Sequence, residues 1–155
     1  MTLLNGGLYP GIHRPQPVQY ALMDPEQGPQ ISAGMNEELF AAGLEPTWGE
    51  DFDGTADARD IWASVAHGTD IPVLHRTIAY MTDRERHAER WTGALEATDV
   101  PLKFVWGMQD PISGAHMAEH IHGRLPDAPI VALDDVGHWP MLEAPERVGP
   151  ELVPG

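Results

Sequence analysis

VPLKFVWGMQDPISGAHMAEHIHGRLPDAPIVALDDVGHWP, residues 100–140, decides the fold. It opens on a short apolar run, 102–106, bounded by Pro101 and Gly107. A run of this length between such breakers marks a strand buried on both faces of a parallel sheet. A helical pattern follows, SGAHMAEHIHGRL, with Ser113 placed to cap it. APIVALDD then supplies a second buried strand over 130–133. Beyond it, APERV opens a last helix that Gly149-Pro150 is expected to cut short. Strand, helix, strand, helix implies an α/β fold with parallel strands and right-handed crossovers.

In open α/β sheets the functional groups collect in the loops at the C-terminal ends of strands. Two of the titratable residues that fall there can face one another. Asp110 follows the first strand in WGMQDPIS, and His138 follows the second in DDVGHWP. Adjacent parallel strands set such loops side by side, so an Asp and a His 28 positions apart can meet. A carboxylate on an imidazole fixes its tautomer and stabilises its charged form, which lets the ring act as a general base.

The residues before 99 read differently. TLLNGG is the end of a buried strand with a glycine turn. Residues 10–31 hold Pro10, Pro15, Pro17, Pro25 and Pro29 and few periodic apolar positions, so a wandering loop is expected. A helix is expected over 32–42, capped by Ser32 and stopped by Gly43. Thr55 is expected to cap a second helix over 56–66, with Gly68 as its stop. From Pro72 one long helix is expected, with Leu74, Ile78 and Met81 on one stripe.

With 155 residues, 42% hydrophobic and 21% charged, the chain can bury a real core. Its 24 acids against 9 bases give a formal charge of −15. That surface repels phosphate backbones and anionic headgroups, so neither nucleic acid nor a membrane is expected as a partner. There is no cysteine, which removes disulfides and thiolate metal sites. No signal peptide and no spanning apolar run is evident, and the cytoplasm is the expected location.

Four stretches, LLNGGLYPGIHRP, RHAERWTGAL, PLKFVWGMQDPISG and LDDVGHWPMLEAPERV, together resemble the C-terminal part of an α/β-hydrolase. The resemblance is to the epoxide-hydrolase and haloalkane-dehalogenase group, and within it to the mesoderm-specific-transcript branch. It implies about three parallel strands of the core with an inserted helical cap. Residues 1–10 would be the end of a core strand and its exit, 11–98 the cap, and 99–155 the core carrying the acid and base loops. It also implies His138 as general base and Asp110 as the acid that orients it. The implied activity is hydrolysis of a small apolar substrate without metal or organic cofactor. The nucleophile, expected to be Asp rather than Ser, would lie upstream, because no G-x-S-x-G or G-x-D-x-G elbow occurs in the 155 residues. The chain alone is therefore expected to be inactive. Strand 2–5 would be left with a raw edge, which invites self-association or pairing with another chain. A non-catalytic fragment or half-domain is the alternative reading.

Other signals are weaker. By the resemblance, Tyr80 lies in the kind of region from which cap tyrosines of epoxide hydrolases donate to the epoxide oxygen, although ordinary packing is the simpler role, and Trp139 adjoins the base; both are candidate substrate contacts. His116, Glu119 and His120 fit H-x-x-E-H, a remote zinc-hydrolase alternative, although the histidines are expected to face water. DFDGTAD, 51–57, fails as a calcium loop, because Ala56 and Trp62 occupy the positions that need Gly and Glu.

Overall fold

A computed structural model describes residues 1–67 and 73–152. The expected stop at Gly68 and start at Pro72 lie outside the described residues. The elements in chain order are β1 (Thr2–Leu4), α1 (Pro17–Met23), α2 (Gln27–Gly34), α3 (Glu37–Leu44) and α4 (Thr55–Ala66). They continue with α5 (Leu74–Thr77), α6 (Tyr80–Arg86), α7 (Ala88–Glu96), β2 (Lys103–Gly107) and α8 (Ala115–Arg124). β3 (Ile130–Leu133), α9 (Pro140–Glu143) and α10 (Pro145–Leu152) complete the list.

The chain divides into two compact units. The first holds Met1–Arg14, Thr47–Phe52 and the chain from His87 onward; the second holds Pro15–Pro46 and Asp53–Arg86. This is more interleaved than a cap over 11–98, because Thr47–Phe52 and α7 belong with the strands.

In the first unit β1, β2 and β3 form a parallel sheet in that order. Successive side chains of a strand point to opposite sides, so the apolar runs give the sheet two buried faces. Phe104 and Trp106 point to one face, where Met117, Ala118 and Ile121 of α8 and Tyr9 cover them. Val105 points to the other, with Leu133, Val136, Ala144 and Val148. Phe104, Val105, Trp106, Met117 and Ile121 are wholly inaccessible. Trp106 also donates its indole N–H to the Ser113 carbonyl at 2.6 Å, which ties the strand to the loop after it.

The second unit is helical, and several sequence expectations fail here for identifiable reasons. The stretch 10–31 is a loop only up to residue 16: Pro17 opens α1 and Pro29 lies in the first turn of α2, where a missing N–H costs nothing. Ser32 is not a cap. It is fully buried inside α2, where its hydroxyl oxygen accepts the His75 backbone N–H at 2.9 Å. The cap of the following helix, α3, is Asn36, whose side chain accepts from Leu39 N at 2.9 Å. Thr55 is the first residue of α4 rather than its cap, and Asp53 Oδ1 accepts from its N–H and its hydroxyl.

The long helix from residue 74 is three helices. Thr77 turns its hydroxyl back to the Leu74 carbonyl at 2.9 Å, a local bond that competes with helix continuation. The second break, at His87, is also where the chain passes from one unit to the other. α10 runs through Gly149 and Pro150 to Leu152, so that pair does not end it.

Candidate active site

The register of β2 on β3 builds the site. Trp106 lies opposite Ala132 and Gly107 opposite Leu133, so β2 and β3 end together. The pairing continues into the loops: Met108 N donates to Leu133 O at 3.0 Å, and Gln109 N to Val136 O at 2.9 Å. The loops then pack backbone to backbone. A Cβ on Gly107 would stand 2.0 Å from the Gly137 oxygen, so only glycine fits.

The two side chains singled out above meet there. His138 Nδ1 lies 2.7 Å from Asp110 Oδ2. Asp110 is buried, while the His138 side chain keeps 22% of its surface exposed. Three further groups hold the carboxylate: Ile112 N donates to Oδ1 at 2.7 Å, and Ser113 Oγ and Asn5 Nδ2 donate to Oδ2 at 2.8 and 3.0 Å. Burial by itself would raise the Asp110 pKa. The hydrogen bond and charge of His138, with Asn5 and Ser113, overcome it and hold the acid at about 2. Asp110 is thus a carboxylate at any ordinary pH and can only accept. His138 Nδ1 must carry the proton between them, which leaves Nε2 as the ring's basic nitrogen.

The comparisons with known proteins agree with this architecture. No protein-family model matches the chain. The mouse mesoderm-specific transcript protein is 32% identical over 149 residues, covering 94% of this chain and 44% of its own length. LipZ of Mycobacterium tuberculosis, which is named as a hydrolase, is 34% identical over 90 residues, 58% of this chain and 31% of its own. A crystal structure of an alpha/beta hydrolase fold protein from Burkholderia ambifaria superposes on 98% of this chain with a TM-score of 0.67 at 17% identity. The chain belongs to the α/β-hydrolase superfamily. It spans less than half the length of the curated relatives it matches, and 55% of the solved hydrolase-fold chain. Three parallel strands with helices, at that coverage, fit a C-terminal portion of the fold.

Within this α/β-hydrolase portion the remaining candidates are placed as follows. Trp139 is half-buried, meets the His138 ring edge to face at 5.1 Å, and donates its indole N–H to Thr47 Oγ1 at 3.0 Å. Tyr80 belongs to the second unit, is exposed, and carries the Arg84 guanidinium 4.7 Å above its ring.

His116 and His120 do not simply face water. Both are half-buried: His116 Nε2 lies 3.2 Å from the Ile112 carbonyl, and His120 packs edge-on against Tyr9 at 4.5 Å. Burial and Glu96 push the Tyr9 phenol up to about 12. Among the described residues no group of three or more His, Asp or Glu is placed to hold a metal ion.

Ser113 is expected from the sequence as a helix cap, and Asn5 as the end of a strand at its glycine turn. Both instead grip Asp110; Ser113's hydroxyl turns inward, and Gly114 takes the cap position. The D-x-x-S spacing of an Asx/ST-type turn was the available signal for Ser113. Asn5 lies 105 positions from Asp110, and only the pairing of β1 with β2 delivers it.

Proposed function

We propose that this chain carries the acid–base half of an α/β-hydrolase active site, acting on a small apolar substrate. The observation that supports it is the Asp110–His138 contact at 2.7 Å, at the C-terminal ends of two adjacent parallel strands. A nucleophile borne by polypeptide outside these residues attacks the substrate carbon and forms an ester with it, while the carbon–oxygen or carbon–halogen bond breaks and its electron pair leaves with the oxygen or the halide. His138 Nε2 then takes a proton from water, which attacks the ester, while Asp110 holds the ring and stabilises its charged form. Trp139 lines the apolar side next to the base, and Tyr80 is the second proposed substrate contact. In the branch this chain resembles, an aspartate nucleophile is the proposed form, with the carbon–oxygen bond of an epoxide or a carbon–halogen bond as the bond broken; a serine nucleophile would instead take a carboxylic ester and release its alcohol. No metal or organic cofactor enters this scheme.

The test belongs in the polypeptide that bears the nucleophile, whether continuous with this chain or supplied in trans. Initial rates on a panel of small esters and epoxides are measured for the parent and for His138→Ala and Asp110→Ala. The expected loss is on the order of 10³–10⁴-fold in kcat for each. Full turnover in both folded variants would sink the assignment. A second reading, a non-catalytic half-domain that completes its sheet with another chain, draws on β1, which among the described residues pairs with β2 alone. It is favoured if no nucleophile-bearing partner restores hydrolysis.

A further inference from the structure

The carboxylate of Glu143 has no part in the scheme above, yet it gathers three backbone N–H groups. Its Oε2 accepts from Gly49 N at 2.7 Å and from Gly137 N at 2.8 Å, and its Oε1 accepts from Trp139 N at 2.9 Å. Gly137 and Trp139 flank His138 on either side. His138's own N–H goes to Thr47 O at 2.7 Å. Three consecutive N–H groups are therefore fixed, two by Glu143 and one by the segment Thr47–Phe52, which Glu143 also holds through Gly49. That segment is held further by Glu50 N on Gln109 Oε1 at 2.7 Å and by Trp48 against Trp139 at 5.9 Å. The clamp has no slack: a Cβ on Gly49 would stand 2.4 Å from Asp135 O, and one on Gly137 would stand 2.3 Å from Thr47 O.

We infer that Glu143 is a positioning residue, whose carboxylate sets the backbone of the His138 loop so that Nδ1 points at Asp110. The physical ground is that an ionised carboxylate is the strongest acceptor the chain can offer to several N–H groups at once. A loop with its N–H groups fixed has one rather than many orientations for the ring it carries. This deepens the reading of His138 as base, but its test does not depend on hydrolysis.

The experiment is ¹⁵N magnetic resonance of the histidine-labelled chain, recorded on hydrated sediment so that association does not interfere. His138 is assigned by loss of its signals in His138→Gln. In the parent, His138 is expected as the Nδ1–H tautomer, against the Nε2–H preference of a free imidazole. Glu143→Ala is expected to turn Nδ1–H from the dominant into the minor species. Glu143→Gln keeps one oxygen for Gly49 and Gly137, and is expected to fall between the two. Ser32→Ala, in the second unit, controls for general destabilisation: it should lower the melting temperature and leave the His138 tautomer alone. An unchanged tautomer in Glu143→Ala overturns the inference, as does a change of equal size in Ser32→Ala. Should Glu143→Ala not fold, Glu143→Gln decides alone, and a parent-like tautomer there overturns it. A tautomer shift without any effect of His138→Ala on hydrolysis would keep Glu143's role and remove the catalytic reading.

Discussion

Asp110 concentrates the chemistry of the first unit in one side chain. It accepts hydrogen bonds from Ile112 N, Ser113 Oγ and Asn5 Nδ2 and faces His138 Nδ1. With its pKa held at about 2, it is harder to protonate in the fold than in the unfolded chain, where a carboxyl titrates near ~4. The sign follows: its stabilisation is fully present above pH ~4 and is lost as the pH falls toward 2, a contribution of about 2 kcal/mol. In urea titrations between pH 5 and pH 2, Asp110→Asn should flatten the acid limb by about that amount. An acid limb as steep as the parent's would assign the acid sensitivity to other carboxylates. Asp135 and Glu96 are the natural suspects, because Arg147 and Arg124 hold their carboxyls below the usual range.

Among the elements, the loops after β2 and β3 have little tolerance for volume. The added methyl of Gly137→Ala would meet Thr47 O at 2.3 Å and Gly49 N at 2.6 Å, both of them backbone atoms. Backbone cannot give way as a flexible side chain does, so the variant should lose roughly 1–3 kcal/mol. Trp48 and Trp139 stack across this contact at 5.9 Å and report it directly. Their fluorescence should shift to the red in Gly137→Ala, and an unperturbed spectrum with parent stability would mean the loops are looser than described. In the second unit the comparable point is Ser32, whose buried hydroxyl accepts the His75 backbone N–H. Ser32→Ala leaves that donor without its partner and should cost about 1–3 kcal/mol, read as a drop in thermal midpoint.

For the whole molecule, charge and edge act in opposite directions. A net charge of −15 disperses copies of the chain through mutual repulsion. Among the described residues β1 has one sheet neighbour, β2, and unpaired strand groups template association. Salt screens the repulsion and leaves the edge intact. We therefore propose that the 155-residue chain self-associates, more so as salt rises, and sedimentation velocity at low and high salt reads this. A monodisperse 17.0 kDa species at both salts would remove the proposal. Among the described residues no helix is long and apolar enough to cross a membrane.

Much of the first unit was legible without coordinates. The runs over 102–106, apolar but for Lys103 and bounded by Pro101 and Gly107, and 130–133, apolar throughout and preceded by Pro129, have the composition of parallel strands buried on both faces. Their ends located Asp110 and His138, because loops at strand C-termini are where such a sheet exposes polar groups. The helical middle was legible only as helix. Its boundaries moved because Pro17, Ser32, Thr77 and His87 have several permitted local roles, and packing selects among them. The tertiary structure alone decided what grips the pair. Asn5 reaches Asp110 across 105 positions and Glu143 reaches Gly49 across 94. A hydrogen bond between residues so far apart leaves no periodicity in the sequence, since strand register and loop packing choose the partner.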